Sequence, residues 1–74
     1  LAEKELLRAA SLGSVDAINY LGYVFEKGLL VTHDESRAMA CYQLAADRGN
    51  QIATANVQRL KAQRSAGIAA SYCY

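Results

Sequence analysis

The sequence has almost no net charge, because eight lysines and arginines are balanced by seven aspartates and glutamates. This balance excludes a globally basic surface of the kind that attracts nucleic acid or anionic lipid. We interpret the basic cluster Arg59, Lys61 and Arg64 as a solvated helix face. Long apolar runs are also lacking: none approaches the roughly 20 residues that span a bilayer, and no basic-then-apolar leader opens the chain. The sequence predicts a soluble protein and leaves its compartment open.

Residues that commonly carry catalysis are scarce. His33 is the only histidine, and its neighbour Asp34 is needed as a helix cap, so we reject a catalytic triad. The chain contains no S-x-x-K element. Gly13, Gly28 and Gly49 are isolated from one another, which favours helix ends and turns over a phosphate-binding loop. We therefore predict that the protein is not an enzyme and uses no cofactor and no catalytic metal.

Cysteine is limited to Cys41 and Cys73. Two cysteines are too few for a disulfide framework, and they lack the C-x-x-C spacing of metal and redox sites. Cys41 falls on the apolar stripe of a predicted helix, so we interpret it as a buried structural thiol. Two alternatives stay open for Cys73: a free, reactive thiol, or a disulfide to Cys41, for which the sequence supplies no geometry.

The chain is rich in apolar residues, mainly alanine, and it repeats itself. Hydrophobic residues make up 53% of the composition, and the alanine bias predicts an all-helical class. Five small residues recur 36 positions later: Ala2, Ala9, Ala10, Gly13 and Ala17 return as Ala38, Ala45, Ala46, Gly49 and Ala53. A repeat of this length is typical of stacked helical units. Seventy-four residues form one small domain at most, whose core is marginal without a disulfide, a metal or a partner.

Helix signals divide each repeat into two helices. Ser14, Asp34 and Asn50 are predicted N-caps, and Gly28 and Gly49 are predicted helix ends. Two apolar faces follow helical spacing, and their members are Ile18, Leu21, Gly22 and Phe25 in the first helix and Ala38, Cys41, Tyr42, Ala45 and Ala46 in the second. The small residues predict close helix packing, with the gaps filled by Leu21, Phe25 and Tyr42.

These positions resemble the Sel-one-like repeat (SLR) of the tetratricopeptide-like superfamily. The residues that match its signature are Ala17, Leu21-Gly22, Phe25, Gly28, Val31, Asp34, Ala38, Tyr42, Ala45-Ala46 and Gly49. Half of a preceding unit matches through Ala2, Leu6, Ala9-Ala10 and Gly13. The resemblance implies an all-α fold of antiparallel helical hairpins stacked as a right-handed superhelix, with this chain as a fragment or terminal part.

The resemblance also divides the chain into segments. Residues 1–13 are expected to be the second helix of a truncated repeat, 14–49 one complete repeat, 50–66 the first helix of a degenerate repeat or a capping helix, and 67–74 an uninterpreted tail. The third unit has Gln58 in place of glycine and Lys61 in place of the aromatic residue, and its outer surface is polar, as expected of a terminal cap. Leu30 and Thr32 replace the family's usual glycine and proline, so the loop between the helices is expected to differ.

Function is expected from the concave surface that helical arrays present to partners. Carrying the family's register onto this chain places five residues on that surface: Asp16, Asn19, Tyr23, Glu26 and Arg59. The expected function is a non-catalytic scaffold or adaptor that binds another protein or the neighbouring repeats of a larger chain, without nucleic acid and without membrane insertion. A solvated face with one surface tyrosine is the alternative for these residues.

Two other functions compete with the scaffold. A permanent structural subunit of a large assembly would bury its apolar tail and its capping helix against other chains. A helical-repeat RNA-binding protein would carry matching base-reading residues in each unit. Asn19 and its equivalent Ala55 do not match, which counts against RNA binding.

Overall fold

The computed structural model describes residues 3–29, 31–63 and 72–74, and within these ranges the chain forms four α-helices and no strand. The helices are α1 (Glu3–Ser11), α2 (Val15–Lys27), α3 (Glu35–Asp47) and α4 (Gln51–Gln63). The predicted all-α class is therefore confirmed. Predictions that involve Ala2, Leu30, Arg64 and the tail up to residue 71 lie outside the described residues. None of the helices described is long and apolar enough to cross a bilayer.

Each predicted N-cap begins its helix. The N–H of Ala17 donates to Ser14 Oγ at 3.3 Å, and the N–H of Arg37 donates to the Asp34 carboxylate at 3.1 Å. The N–H of Ala53 donates to Asn50 Oδ1 at 2.8 Å. Each bond satisfies one of the backbone donors that the first turn of a helix leaves unpaired.

The 36-residue repeat is also present in the backbone. Gly13 and Gly49, which are equivalent in the two units, adopt φ angles of 90° and 97°. A side chain at such a φ would be strained, which explains glycine at both places. The following residue donates its N–H to an equivalent alanine carbonyl in each unit, Ser14 to Ala9 at 3.1 Å and Asn50 to Ala45 at 3.0 Å. The same helix-ending turn is therefore built twice.

The helices pack in chain order, α1 on α2, α2 on α3 and α3 on α4. One core runs through them, and its largest fully buried side chains are Leu6, Ile18, Leu21, Val24, Cys41, Tyr42 and Leu60. The predicted apolar faces are buried, except that Ala46 is only half-buried. Among the glycines described, the tightest surroundings are those of Gly22, where a Cβ atom would lie 2.8 Å from two carbons of the Tyr42 ring. Glycine therefore makes room for the tyrosine.

The chain's two cysteines form a disulfide, with Cα atoms 4.7 Å apart and a sequence separation of 32. Cys41 is buried as predicted, but its interpretation as a thiol is wrong, and so is the alternative of a free Cys73. The bond joins the described end of the tail to the middle of α3. Sequence spacing could not reveal this pairing, because it depends on where the tail returns in space.

Candidate functional site

Four of the five candidate surface residues take part in contacts between α2 and α4, namely three residues of α2 and Arg59 of α4. Asn50 Nδ2 donates to Asp16 Oδ1 at 3.3 Å, and Asn56 Nδ2 donates to Asn19 Oδ1 at 3.4 Å. Glu26 lies farther along the same side of α2 and also reaches α4, through Arg59. We call these three contacts the α2–α4 seam. Side chains that the repeat register predicted on the partner-binding surface therefore hold α2 and α4 together.

The strongest contact of the seam is a bidentate ion pair. Arg59 donates from Nη1 to Glu26 Oε2 at 2.6 Å and from Nη2 to Glu26 Oε1 at 2.7 Å. The Tyr42 hydroxyl donates to the same Oε1 at 2.8 Å. The Glu26 side chain is only 8% exposed, whereas that of Arg59 is 37% exposed. Because the carboxylate is nearly buried and carries three hydrogen bonds, it links α2, α3 and α4 at one point.

This contact changes the acidity of its members. The Arg59 guanidinium, bonded to both carboxylate oxygens, holds the pKa of Glu26 below its ordinary value, although burial acts in the opposite direction. Burial, followed by the hydrogen bond to the Glu26 carboxylate, raises the pKa of the Tyr42 phenol well above its ordinary value. Glu26 is therefore charged and Tyr42 neutral at physiological pH. The arrangement is a stable structural network, with no group poised to transfer a proton.

The outward face of α2 carries a different set of side chains. Asp16, Tyr20, Tyr23 and Lys27 are all exposed and follow one another at intervals of four, three and four residues. We call this set the tyrosine face. The rings of Tyr20 and Tyr23 stack with centroids 6.1 Å apart and planes 17° apart, and the two residues are 40% and 43% exposed. The Lys27 ammonium lies 5.9 Å from the centroid of Tyr23.

Asp16 and Tyr23 were predicted to be surface residues from the repeat register, whereas Tyr20 and Lys27 were not. The missed signal is simple, since Tyr20 precedes Tyr23 by three residues and Lys27 follows it by four, which places all three on one side of a helix. Asn19 and Glu26 lie next to this face on the side of α4. The five candidate residues are therefore near one another, but only two of them belong to the tyrosine face.

A concave region lies where α1, α2 and the start of α3 meet. It is a cavity of about 320 Å³, lined by Leu7, Leu21, Phe25, Val31, Thr32, His33, Asp34 and Arg37. His33 Nε2 lies 3.2 Å from Glu35 Oε1, while Asp34 is engaged as the cap of α3. Among the residues with a defined position, no three potential metal ligands are close enough to hold an ion.

The helices stack in chain order, and the turn at Gly13 is repeated at Gly49. These two features define a helical-repeat protein. The family model of the Sel1 repeat matches residues 15–50, a stretch that contains all of α2 and α3. This match confirms the resemblance to the Sel-one-like repeat over residues 15–50. Sel1 repeats form helical modules that mediate protein interactions. No curated protein and no solved structure matches the chain.

Proposed function

We propose that this chain is a non-catalytic protein-interaction module whose partner docks on the tyrosine face of α2. The observation that carries the proposal is the exposed, stacked pair Tyr20 and Tyr23. Tyrosine offers a large apolar ring with a polar tip at little cost in side-chain entropy, which is why it is enriched among the residues that dominate binding energies. An apolar or aromatic side chain from a protein segment is the occupant that fits the stacked rings.

Support also comes from the rigidity of the surface. The α2–α4 seam fixes the neighbouring side chains Asn19, Glu26 and Arg59, so the partner meets a surface that is already ordered. Binding to an ordered surface loses less conformational entropy than binding to mobile side chains. In this proposal Asp16 and Tyr23 contact the partner, while Asn19, Glu26 and Arg59 form the border of the contact and hold α2 in place.

The competing function of a permanent structural subunit has less support. That function requires other chains to cover the apolar tail. Within the described part of the tail, Cys73 is covered by α3 of its own chain through the disulfide and is 5% exposed. The tail therefore has an internal packing partner at this residue.

The proposal is tested by capture from an extract of the source cells with three tagged proteins: the unmodified chain, a Tyr20→Ala/Tyr23→Ala variant and a Leu12→Ala variant. Leu12 is a matched control, because it is an exposed apolar side chain that lies in the turn between α1 and α2 and not on α2 itself. We expect the unmodified chain and the Leu12 variant to retain the same proteins. The double tyrosine variant should bind them at least about tenfold more weakly, the loss typical of one dominant interface residue.

Circular dichroism of each variant establishes that helicity is intact, so that a binding loss is not an unfolding loss. Retention that is equal for all three proteins would contradict the proposed face. A nuclease-treated sample distinguishes the RNA alternative, because loss of all retained material on nuclease treatment would contradict the protein-interaction function itself. Glu26→Ala is unsuited to this test, since it removes the carboxylate that accepts from Arg59 and Tyr42 and so destabilises the helix contact.

A further inference from the structure

The described tail, residues 72–74, is held on α3 by more than the disulfide. Arg37 donates to the carbonyl of Cys73 from Nη2 at 2.9 Å and from Nε at 3.3 Å. Its guanidinium carbon lies 4.1 Å from the centroid of the Phe25 ring and 5.1 Å from that of Tyr72. Arg37 therefore lies between two aromatic rings while it binds the tail backbone. A covalent bond, two hydrogen bonds and a stacked cation all act on the same three residues.

This segment lies on the side of α3 that faces away from α4. Ala46 lines the groove between α3 and α4. Arg37 precedes Ala46 by nine residues, which is about two and a half helical turns, so the two lie on opposite sides of α3. The segment of residues 72–74 therefore lies on the side of α3 opposite that groove. There it adjoins the 320 Å³ cavity, because Phe25 and Arg37 are also part of the cavity lining.

We propose that residues 72–74 form a redox-controlled latch over the Phe25–Arg37 edge of this cavity. With the Cys41–Cys73 disulfide formed, the chain's own tail occupies that edge. When a dithiol reductant opens the bond, the tail leaves and the edge is exposed. The latch involves Phe25, Arg37 and residues 72–74, none of which belongs to the tyrosine face. A test of the latch is therefore independent of the proposed function.

Reduction of the disulfide favours release of residues 72–74 from α3. Without the disulfide, the two hydrogen bonds and the ring contacts must order residues 72–74 against their conformational entropy. The helices have independent support, since α2, α3 and α4 meet through the core and the α2–α4 seam. The latch can therefore open without unfolding the array.

The chemistry is a two-electron thiol–disulfide exchange. One thiolate of the dithiol attacks the sulfur of Cys73, and Cys41 leaves as a thiolate that takes up a proton. The second thiolate of the reductant then displaces Cys73 from the mixed disulfide, so the protein gains two thiols and the reductant becomes a cyclic disulfide. Cys73 is 5% exposed whereas Cys41 has no exposed surface, so the dithiol reaches the disulfide from the Cys73 side. The latch stays closed in an oxidising compartment and opens where thiol systems are active.

The test uses the isotopically labelled chain in solution, observed by NMR before and after treatment with dithiothreitol. Two probes report on the latch: the Arg37 Nε–H signal, which is hydrogen-bonded between two rings in the closed state, and the amide exchange of residues 72–74. Alkylation and mass spectrometry establish that two thiols appear on reduction. A Cys73→Ser variant, which leaves buried Cys41 in place, provides the permanently open form.

We expect reduction to move the Arg37 signal to the position of a solvated arginine and to speed amide exchange in residues 72–74 at least tenfold. The amides of α2 and α3 should keep their protection from exchange. The Cys73→Ser variant should show the same Arg37 signal and the same exchange rates as the reduced chain, and dithiothreitol should not change them. Three results would overturn the proposal: a tail that stays protected after reduction, helices that lose protection together with the tail, or an untreated chain that already alkylates at both cysteines. The second result would show that the disulfide is needed for the stability of the helices.

Discussion

The contact between Gly22 and Tyr42 leads to a quantitative prediction. A Cβ atom at residue 22 would lie 2.8 Å from two ring carbons and 3.2 Å from the carbonyl oxygen of Ala38. Carbon atoms in contact normally lie about 3.5–4.0 Å apart, so the ring would have to move by roughly 0.7 Å or more. Tyr42 has little freedom to move, because it is fully buried and its hydroxyl is bound to Glu26.

Two opposing contributions set the result of Gly22→Ala. Overpacking a rigid core costs about 1–3 kcal/mol. Alanine is favoured over glycine inside a helix by about 0.8–1.0 kcal/mol. We therefore expect a net loss of about 1 kcal/mol in the free energy of unfolding. With a urea m-value of about 1 kcal/mol/M, this loss lowers the urea midpoint by about 1 M.

The assay is urea unfolding followed by circular dichroism, performed in the natural background and in a Tyr42→Leu background. Leucine lacks the far edge of the ring and is flexible at its end, so the penalty of alanine at residue 22 should fall toward zero or become a gain. A stabilisation of about 1 kcal/mol by Gly22→Ala alone would refute the steric argument. An equal penalty in both backgrounds would show that the clash is not with Tyr42.

Three further predictions concern stability. Arg59→Met should lower the free energy of unfolding by about 1–2 kcal/mol at pH 7. Because the folded-state pKa of Glu26 is lowered, this difference between the two proteins should be complete above about pH 4.5 and shrink as the pH falls below it. Because the pKa of Tyr42 is raised, its stabilising effect should be present below about pH 10 and decline above it, and urea midpoints of Tyr42→Phe should show a weaker alkaline decline. Ala45→Leu should overpack the buried side of α3 and lower the melting temperature by roughly 5–15 °C, whereas Ala55→Leu, on the exposed side of α4, should leave it nearly unchanged.

Local signals allowed the helices to be predicted well. Ser14, Asp34 and Asn50 cap their helices because a short polar side chain needs only the next turn of its own backbone as a partner. Gly13 and Gly49 were recognisable for the same reason, since the turn that ends each helix is a local structure. The close packing at Gly22 followed from the repeat spacing, which places the glycine and Tyr42 on facing helices.

Contacts between distant segments could not be predicted in the same way. The sequence placed Glu26 and Arg59 on one surface, but only the relative position of α2 and α4 shows that the two side chains bind each other. The disulfide is a second example, because its formation depends on the return of the tail to α3. The position of Arg37 between Phe25 and Tyr72 follows from that return and had no counterpart in the sequence pattern.

The central claim is that a protein partner binds the tyrosine face of α2. The most direct measurement is an NMR titration of the labelled chain with a peptide taken from a captured partner, read as amide shifts at each residue. The account predicts that the largest shifts occur at Tyr20, Tyr23 and Lys27, and that the Tyr20→Ala/Tyr23→Ala variant shows none under the same conditions. Shifts concentrated in the groove between α3 and α4, at Gln43 and Lys61, would contradict it.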